Sequence, residues 1–193
     1  MAEPVIPILL DIPESIESER LLIRAAQWGD GVKMNEAIME SLNELQPWMI
    51  FAQKAQTPEE SEIFVREARI NYLKRTNMHM NIYNKADGTF VGCSGLHHID
   101  WDVRAFEMGY WIRTSCSGKG YMTEAVNAIT DFAIHELGAN RIEIRCSGRN
   151  AKSAAVAERA GYKLDGVLRL NTRGFDGELH DSKVYAKVRG AEY

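Results

Sequence analysis

The stretch Tyr110–Val126, YWIRTSCSGKGYMTEAV, changes character at its middle. Tyr110-Trp111-Ile112 reads as the apolar end of a strand. Small residues and two glycines, Gly118 and Gly120, follow, and MTEAV opens a segment with helical spacing that runs to Gly138. The tip of a helix carries free backbone N–H groups and the positive end of the helix dipole. Glycines just before it let an anion come close to those amides. Ser117-Gly118-Lys119-Gly120-Tyr121-Met122 meets that requirement, and Lys119 adds positive charge. The spacing alone fits an ordinary strand-to-helix turn with a surface lysine equally well. It matches neither the Walker loop nor G-x-G-x-x-G, which disfavours a nicotinamide cofactor.

Working outward, AFEMGYWI is a strand with Gly109 in its interior, a position that predicts a bulge or a close approach by other atoms. Before it, HMNIYN and TFVGCSGLHHI flank Asp87-Gly88, a hairpin signal. TPEESEIFVREARINYLKR is a helix, with Thr57 as cap, Pro58 in the first turn and Glu60 completing a capping box. GDGVKMNEAIMESLNELQPWM reads as one helix ending near Gln46-Pro47, and RLLIRAA, from Arg20, as a first strand. Beyond the glycine loop come a helix, the strand RIEIRCS, a helix from a capping Asn150 to Gly161, and a hairpin turning at Asp176-Gly177. The order is strand, two helices, three strands, helix, strand, helix, two strands. That is an α/β (α+β) chain with a largely antiparallel meander and one parallel pairing across the helix after the loop.

A length of 193 residues predicts a single domain, and 45% hydrophobic residues can bury a core. No apolar run approaches the ~18 residues of a membrane span, and the N-terminus lacks the features of a secretory signal. Three cysteines, Cys93, Cys116 and Cys146, are an odd number without metal-ligand spacing, as expected of free thiols in a cytoplasmic protein. A net charge of −4 argues against nucleic-acid binding by bulk charge.

The combination FEMGYWI…SGKGYMTEAV…RIEIRC…NAKSAAVAERAGY resembles the GCN5-related N-acetyltransferases (GNAT), and more narrowly their RimJ/RimL branch. ESERLLIRAA, LNELQPWM, TPEESEIFV and RGFDGELHDSKVYAKV extend the resemblance over about residues 17–189 of a single domain spanning 1–193. It implies a mixed, mostly antiparallel sheet of about six to seven strands with about four helices, splayed where acetyl-CoA binds. It also implies direct transfer of the acetyl group to a primary amine, either a protein N-terminus of the ribosomal-protein type or a small-molecule amine. Acetyl-CoA is the co-substrate, with no metal, and a homodimer is common among similar proteins. By the same resemblance Ser117, Gly118, Lys119, Gly120, Tyr121 and Met122 hold the diphosphate. Met108, Gly109, Tyr110, Trp111 and Ile112 line the thioester along a bulged, splayed strand. Ser115 stands where the family's loop carries Gln or Arg, which removes one long side chain near the cofactor. A non-catalytic acyl-CoA-binding module on the same fold is the alternative, because fold alone does not fix function.

Acyl transfer to an amine requires loss of an amine proton, stabilisation of the carbonyl oxygen and protonation of the thiolate. Glu107, two residues before Gly109, is the expected base; a solvated strand glutamate is the plain alternative. Ser153 is the expected acid. Many relatives carry N-x-x-A-x-x-x-Y at the start of this helix, and here the matching residues are Asn150, Ser153 and Ala157. The tyrosine is absent, and Asn150 and Ser153 are expected to hydrogen-bond the pantetheine or thiol. Consecutive histidines on a strand point to opposite faces, so His97 and His98 are not expected to share a metal. Trp48 and Phe51 are expected on the acceptor side by resemblance, with core packing as the alternative. His180 and Tyr185, on the last strand, could line the acceptor pocket or simply pack.

Overall fold

A computed structural model describes residues 5–193, so the first four residues of the expected 1–193 domain lie outside the described residues. The chain forms β1 (Ser15–Glu17), β2 (Leu21–Ala25), α1 (Gly31–Glu40), α2 (Leu42–Leu45), α3 (Pro58–Lys74), β3 (Met78–Asn84), β4 (Phe90–Asp100) and β5 (Ala105–Ile112). It continues as α4 (Tyr121–His135), β6 (Arg141–Ser147), α5 (Ala151–Arg159), β7 (Lys163–Arg173) and β8 (Leu179–Val188). All eight strands join one sheet in the order β1-β2-β3-β4-β5-β6-β8-β7. Every neighbouring pair is antiparallel except β5–β6, which is parallel across α4.

The strand period of two sends alternate side chains into two cores. Leu21 and Ile23 of β2 and Phe106 and Met108 of β5 pack under α4, whose Met122, Val126, Ile129 and Ala133 recur at helical spacing. On the other face Cys93 and Trp111 meet Met34 and Ile38 of α1 and Val65 and Ala68 of α3. Odd-numbered residues of β5, Glu107 and Gly109 among them, therefore share the α1/α3 side with Trp111.

The capping box of α3 forms as expected: Glu60 N–H donates to Thr57 Oγ1 at 3.1 Å and Thr57 N–H to Glu60 Oε2 at 2.9 Å. Thr57→Ala removes the acceptor, and an unfolding titration should read a loss of about 1 kcal/mol. No change would assign the cap's stability to tertiary packing instead.

Three features differ from the sequence reading. Among the described residues there are eight strands and five α-helices, one more of each than read from the sequence. The short β1 carried no alternation long enough to read. The expected single helix breaks at Ser41 (φ −106°, ψ 10°) into α1 and α2. That break has a use: Ser41 Oγ accepts from Thr114 N–H at 2.9 Å, while Glu40 takes the Arg113 guanidinium at 2.6 Å and Ser115 N–H at 2.9 Å. The end of α1 thus anchors the chain entering the glycine loop. Finally, Gly109 is not bulged. It sits in unbroken register opposite Gly95, and the register shifts fall between Ile82 and Tyr83 and between His97 and Asp100.

Candidate active site

The β5–β6 ladder holds only Ala105↔Arg141, Phe106↔Ile142 and Glu107↔Glu143, although β5 runs on to Ile112 and β6 to Ser147. Past that point β5 stays paired with β4 as far as Ile112↔Gly92, and β6 with β8 as far as Ser147↔Ser182. Each strand is held on its outer side while the inner edges part. This leaves the inner main-chain edge of Met108 to Ile112 unpaired, a place where an extended amide-bearing chain can add as a strand does.

The splayed edge leads into the glycine loop. Gly118 (φ 77°) and Gly120 (φ 81°) both lie in the left-handed region, and Gly120 begins α4 without a side-chain cap. Among the described residues, no protein acceptor meets the backbone N–H groups of Gly118 through Thr123. Such a row of free amides at a helix tip is an anion site. Arg20 braces it: its Nη1 donates to Lys119 C=O at 3.0 Å, it pairs with Glu124 at 2.6 Å, and it stacks 4.6 Å over the Tyr121 ring. The sequence reading missed Arg20, because nothing local to ESERLLIR ties it to a loop about a hundred residues away.

A cavity of about 530 Å³ opens at the splay. It brings together the predicted Glu107, Met108, Gly109, Tyr110 and Trp111 with Asn150 and Ser153. Ile112 and residues 117–122 do not line it; they lie at its chain-wise end. The Met122 side chain is buried in the α4 core, so only its amide is on offer. Trp48 and Phe51 form part of the wall, together with Phe64. His180 also lines the cavity, whereas Tyr185 is buried and donates to Glu158 Oε1 at 3.0 Å.

Glu107 is 13% exposed and heavily partnered. Its Oε1 lies 3.3 Å from His97 Nε2, and its Oε2 lies 3.0 Å from His98 Nδ1 and 3.4 Å from Arg145 Nε. Partial burial pushes its pKa up, but the hydrogen bonds from the two histidines and the Arg145 charge outweigh that and hold it at about 2. The expectation that His97 and His98 face opposite ways is overturned. His98 takes φ 46° at the irregularity in β4, and this turns both rings onto one carboxylate with centroids 4.8 Å apart. Arg145 gives that carboxylate a fixed cationic partner, a charge that opposes a metal ion beside it.

At the start of α5, Asn150 Oδ1 caps Ser153 N–H at 3.0 Å. Ser153 Oγ lies 3.2 Å from the Tyr110 hydroxyl, which itself donates to Ser153 C=O at 2.9 Å. Burial raises the Tyr110 pKa to about 12, only partly offset by the Ser153 hydrogen bond, so the phenol keeps its proton. Ala157, where relatives carry tyrosine, is fully buried in the α4 core. A phenol nonetheless stands beside Ser153, that of Tyr110 on β5, a contact visible only once the strand and helix are packed.

A family model described as the acetyltransferase (GNAT) domain matches residues 20–163. The "Putative ribosomal N-acetyltransferase YdaF" of Bacillus subtilis (strain 168) is 29% identical over 173 residues, covering 89% of this chain and 93% of the relative. The "Probable N-acetyltransferase YjcK" of the same organism is 32% identical over 139 residues, covering 72% of this chain and 76% of the relative. Among solved structures, RimL, the ribosomal L7/L12 alpha-N-protein acetyltransferase in complex with coenzyme A, superposes with a TM-score of 0.84 at 23% identity, covering 91% of this chain and 98% of that one.

Proposed function

Since the chain belongs to the GNAT acetyltransferase family, and so is an acetyl-CoA-dependent N-acetyltransferase, we propose that its acceptor is the α-amino group of a protein N-terminus. The observation that carries the site assignment is the early end of the β5–β6 ladder beside a row of free amides. Acetyl-CoA lies with its diphosphate on the amides of Gly118 to Met122 and its pantetheine along Met108 to Ile112. Its thioester then rests at Gly109, between Glu107 on one face and Ser153 on the other.

The acceptor enters from the α1/α3 side, between Trp48, Phe51 and Phe64 and the β7–β8 hairpin residues Asn171 to Gly174. A peptide fits that opening because aromatic walls and a hairpin edge suit an extended chain, and Glu107 supplies the negative charge that receives its amine. Similarity to YdaF, which carries the name "Putative ribosomal N-acetyltransferase", supports the same acceptor class. Thiol release from acetyl-CoA tests it. Peptides with free N-termini should turn over with higher kcat/KM than polyamines, aminoglycosides or amino acids, and blocking the N-terminus should abolish the reaction. Preference for a small amine, or equal use of peptides blocked at the N-terminus, would contradict the assignment.

On the thiol side, Ser153, whose hydroxyl donates to the Tyr110 oxygen in the free protein, turns to donate its proton to the departing sulfur. Ser153→Ala should lower kcat about tenfold, roughly the 1.4 kcal/mol of one hydrogen bond, with little change in the Kd for acetyl-CoA. Unchanged kcat would remove Ser153 from the reaction.

A further inference from the structure

We propose that the proton leaving the acceptor amine passes to His97, with Glu107 acting as the residue that orients it; this rests on the acetyltransferase reading above. His97 lies directly across from Glu107 in the β4–β5 register, and Gly95 across from Gly109. The His97 ring leans diagonally over Gly109. A Cβ added there would meet His97 Cε1 at 3.0 Å, Nδ1 at 3.6 Å and Nε2 at 3.9 Å. The glycine is thus what makes room for an imidazole over the strand position assigned to the thioester, and His97 lines the same cavity.

The two ring nitrogens are differently placed. Nε2 is the one beside Glu107 Oε1. Cε1 faces Gly109, with both nitrogens within 4 Å of the added Cβ, and Nδ1 has no hydrogen-bond partner among the described residues. With Nε2–H donated to the carboxylate, Nδ1 keeps an unengaged lone pair at the edge of the slot that His97 lines. Glu107 is poorly suited to take the proton itself, because a carboxylate held that far below the ammonium range is a weak base.

In the transfer, the amine nitrogen attacks the thioester carbonyl carbon. The C–N bond forms, the nitrogen's proton goes to His97 Nδ1, and the C–S bond breaks. The thiolate takes a proton from Ser153. His97 then loses its proton to solvent and Ser153 regains one, so acceptor amine plus acetyl-CoA give amide plus free thiol. The charged and titratable groups facing His97 are Glu107 on β5, Arg145 on β6, its neighbour His98, and His79 diagonal to it on β3. Burial pushes the His79 pKa down to about 4, and its Nε2 is already engaged with Asn81 at 3.1 Å.

His97→Gln keeps a donor for Glu107 but cannot accept a proton. The pH profile of kcat/KM, measured with acetyl-CoA and an accepted amine, tests the assignment alongside calorimetry. The variant should bind acetyl-CoA with unchanged Kd, which shows that it is folded. It should lose about 100-fold in kcat/KM at neutral pH and lack the acid limb of the wild-type profile. A variant that retains the acid limb, or stays within a few-fold of wild type, overturns the assignment of His97 and leaves the transfer reading standing. Wild-type protein that binds acetyl-CoA but acetylates no amine overturns the reading beneath it.

Discussion

Gly118→Asp should abolish tight binding of acetyl-CoA while leaving the fold intact. Gly118 sits at φ 77°, and a Cβ there would meet nothing within 4 Å, so the side chain has room. Aspartate tolerates the left-handed region better than most residues, so the conformational cost is about 1 kcal/mol. Its carboxylate would stand among the free amides of Gly118 to Thr123 and satisfy them from within. It would also place a negative charge where the diphosphate must sit. Calorimetry should record a Kd raised at least about 100-fold, or about 2.7 kcal/mol, with a cooperative melting curve lowered by only a few degrees, and by a similar amount in Gly118→Ala. Gly118→Ala separates the two effects, because it carries the strain without the charge and should shift Kd only slightly. If aspartate and alanine behave alike, the loop is a turn and not an anion cradle.

Glu107→Gln should lower kcat/KM about 10³-fold at neutral pH with no change in the Kd for acetyl-CoA. Three losses combine. The cavity loses the negative charge that receives the amine, His97 loses the partner that fixes its tautomer, and Arg145 loses one of its two carboxylate partners, keeping Glu143 at 2.6 Å. The pKa direction sets the pH window. A carboxylate lowered from its ordinary range to about 2 stays ionised across the working range. Its contribution to stability is complete above the ordinary carboxylate pKa and is lost only as pH falls toward 2. Loss of activity on mild acidification is therefore not the protonation of Glu107. A variant whose acid limb alone moved, with full activity at neutral pH, would contradict this role.

Much of the candidate site's local geometry was legible because its parts are close in sequence. Gly118 and Gly120 before a helical period, Asn150 three residues ahead of Ser153, and Thr57-Pro58 with Glu60 each state their own geometry in a few residues. What was not legible depends on contacts between distant segments. Arg20 reaches the loop because β2 passes beside α4, and the Tyr110 phenol meets Ser153 because β5 abuts the start of α5. Ser41 breaks a helix whose periodicity runs through it, since its hydroxyl and the neighbouring Glu40 serve the loop. The rule that consecutive strand residues face opposite ways failed at His97-His98, because it assumes a regular ladder. A positive φ at His98 is a local departure that histidine does not advertise.

The most direct test of the central claim, that the free amides and the parted strands together seat the cofactor, is a crystal structure with coenzyme A. It should place the diphosphate on the amides of Gly118 to Met122, the pantetheine along Met108 to Ile112, and the sulfur between Gly109 and Ser153. Coenzyme A bound elsewhere, or a β5–β6 gap left empty beside it, would contradict the account.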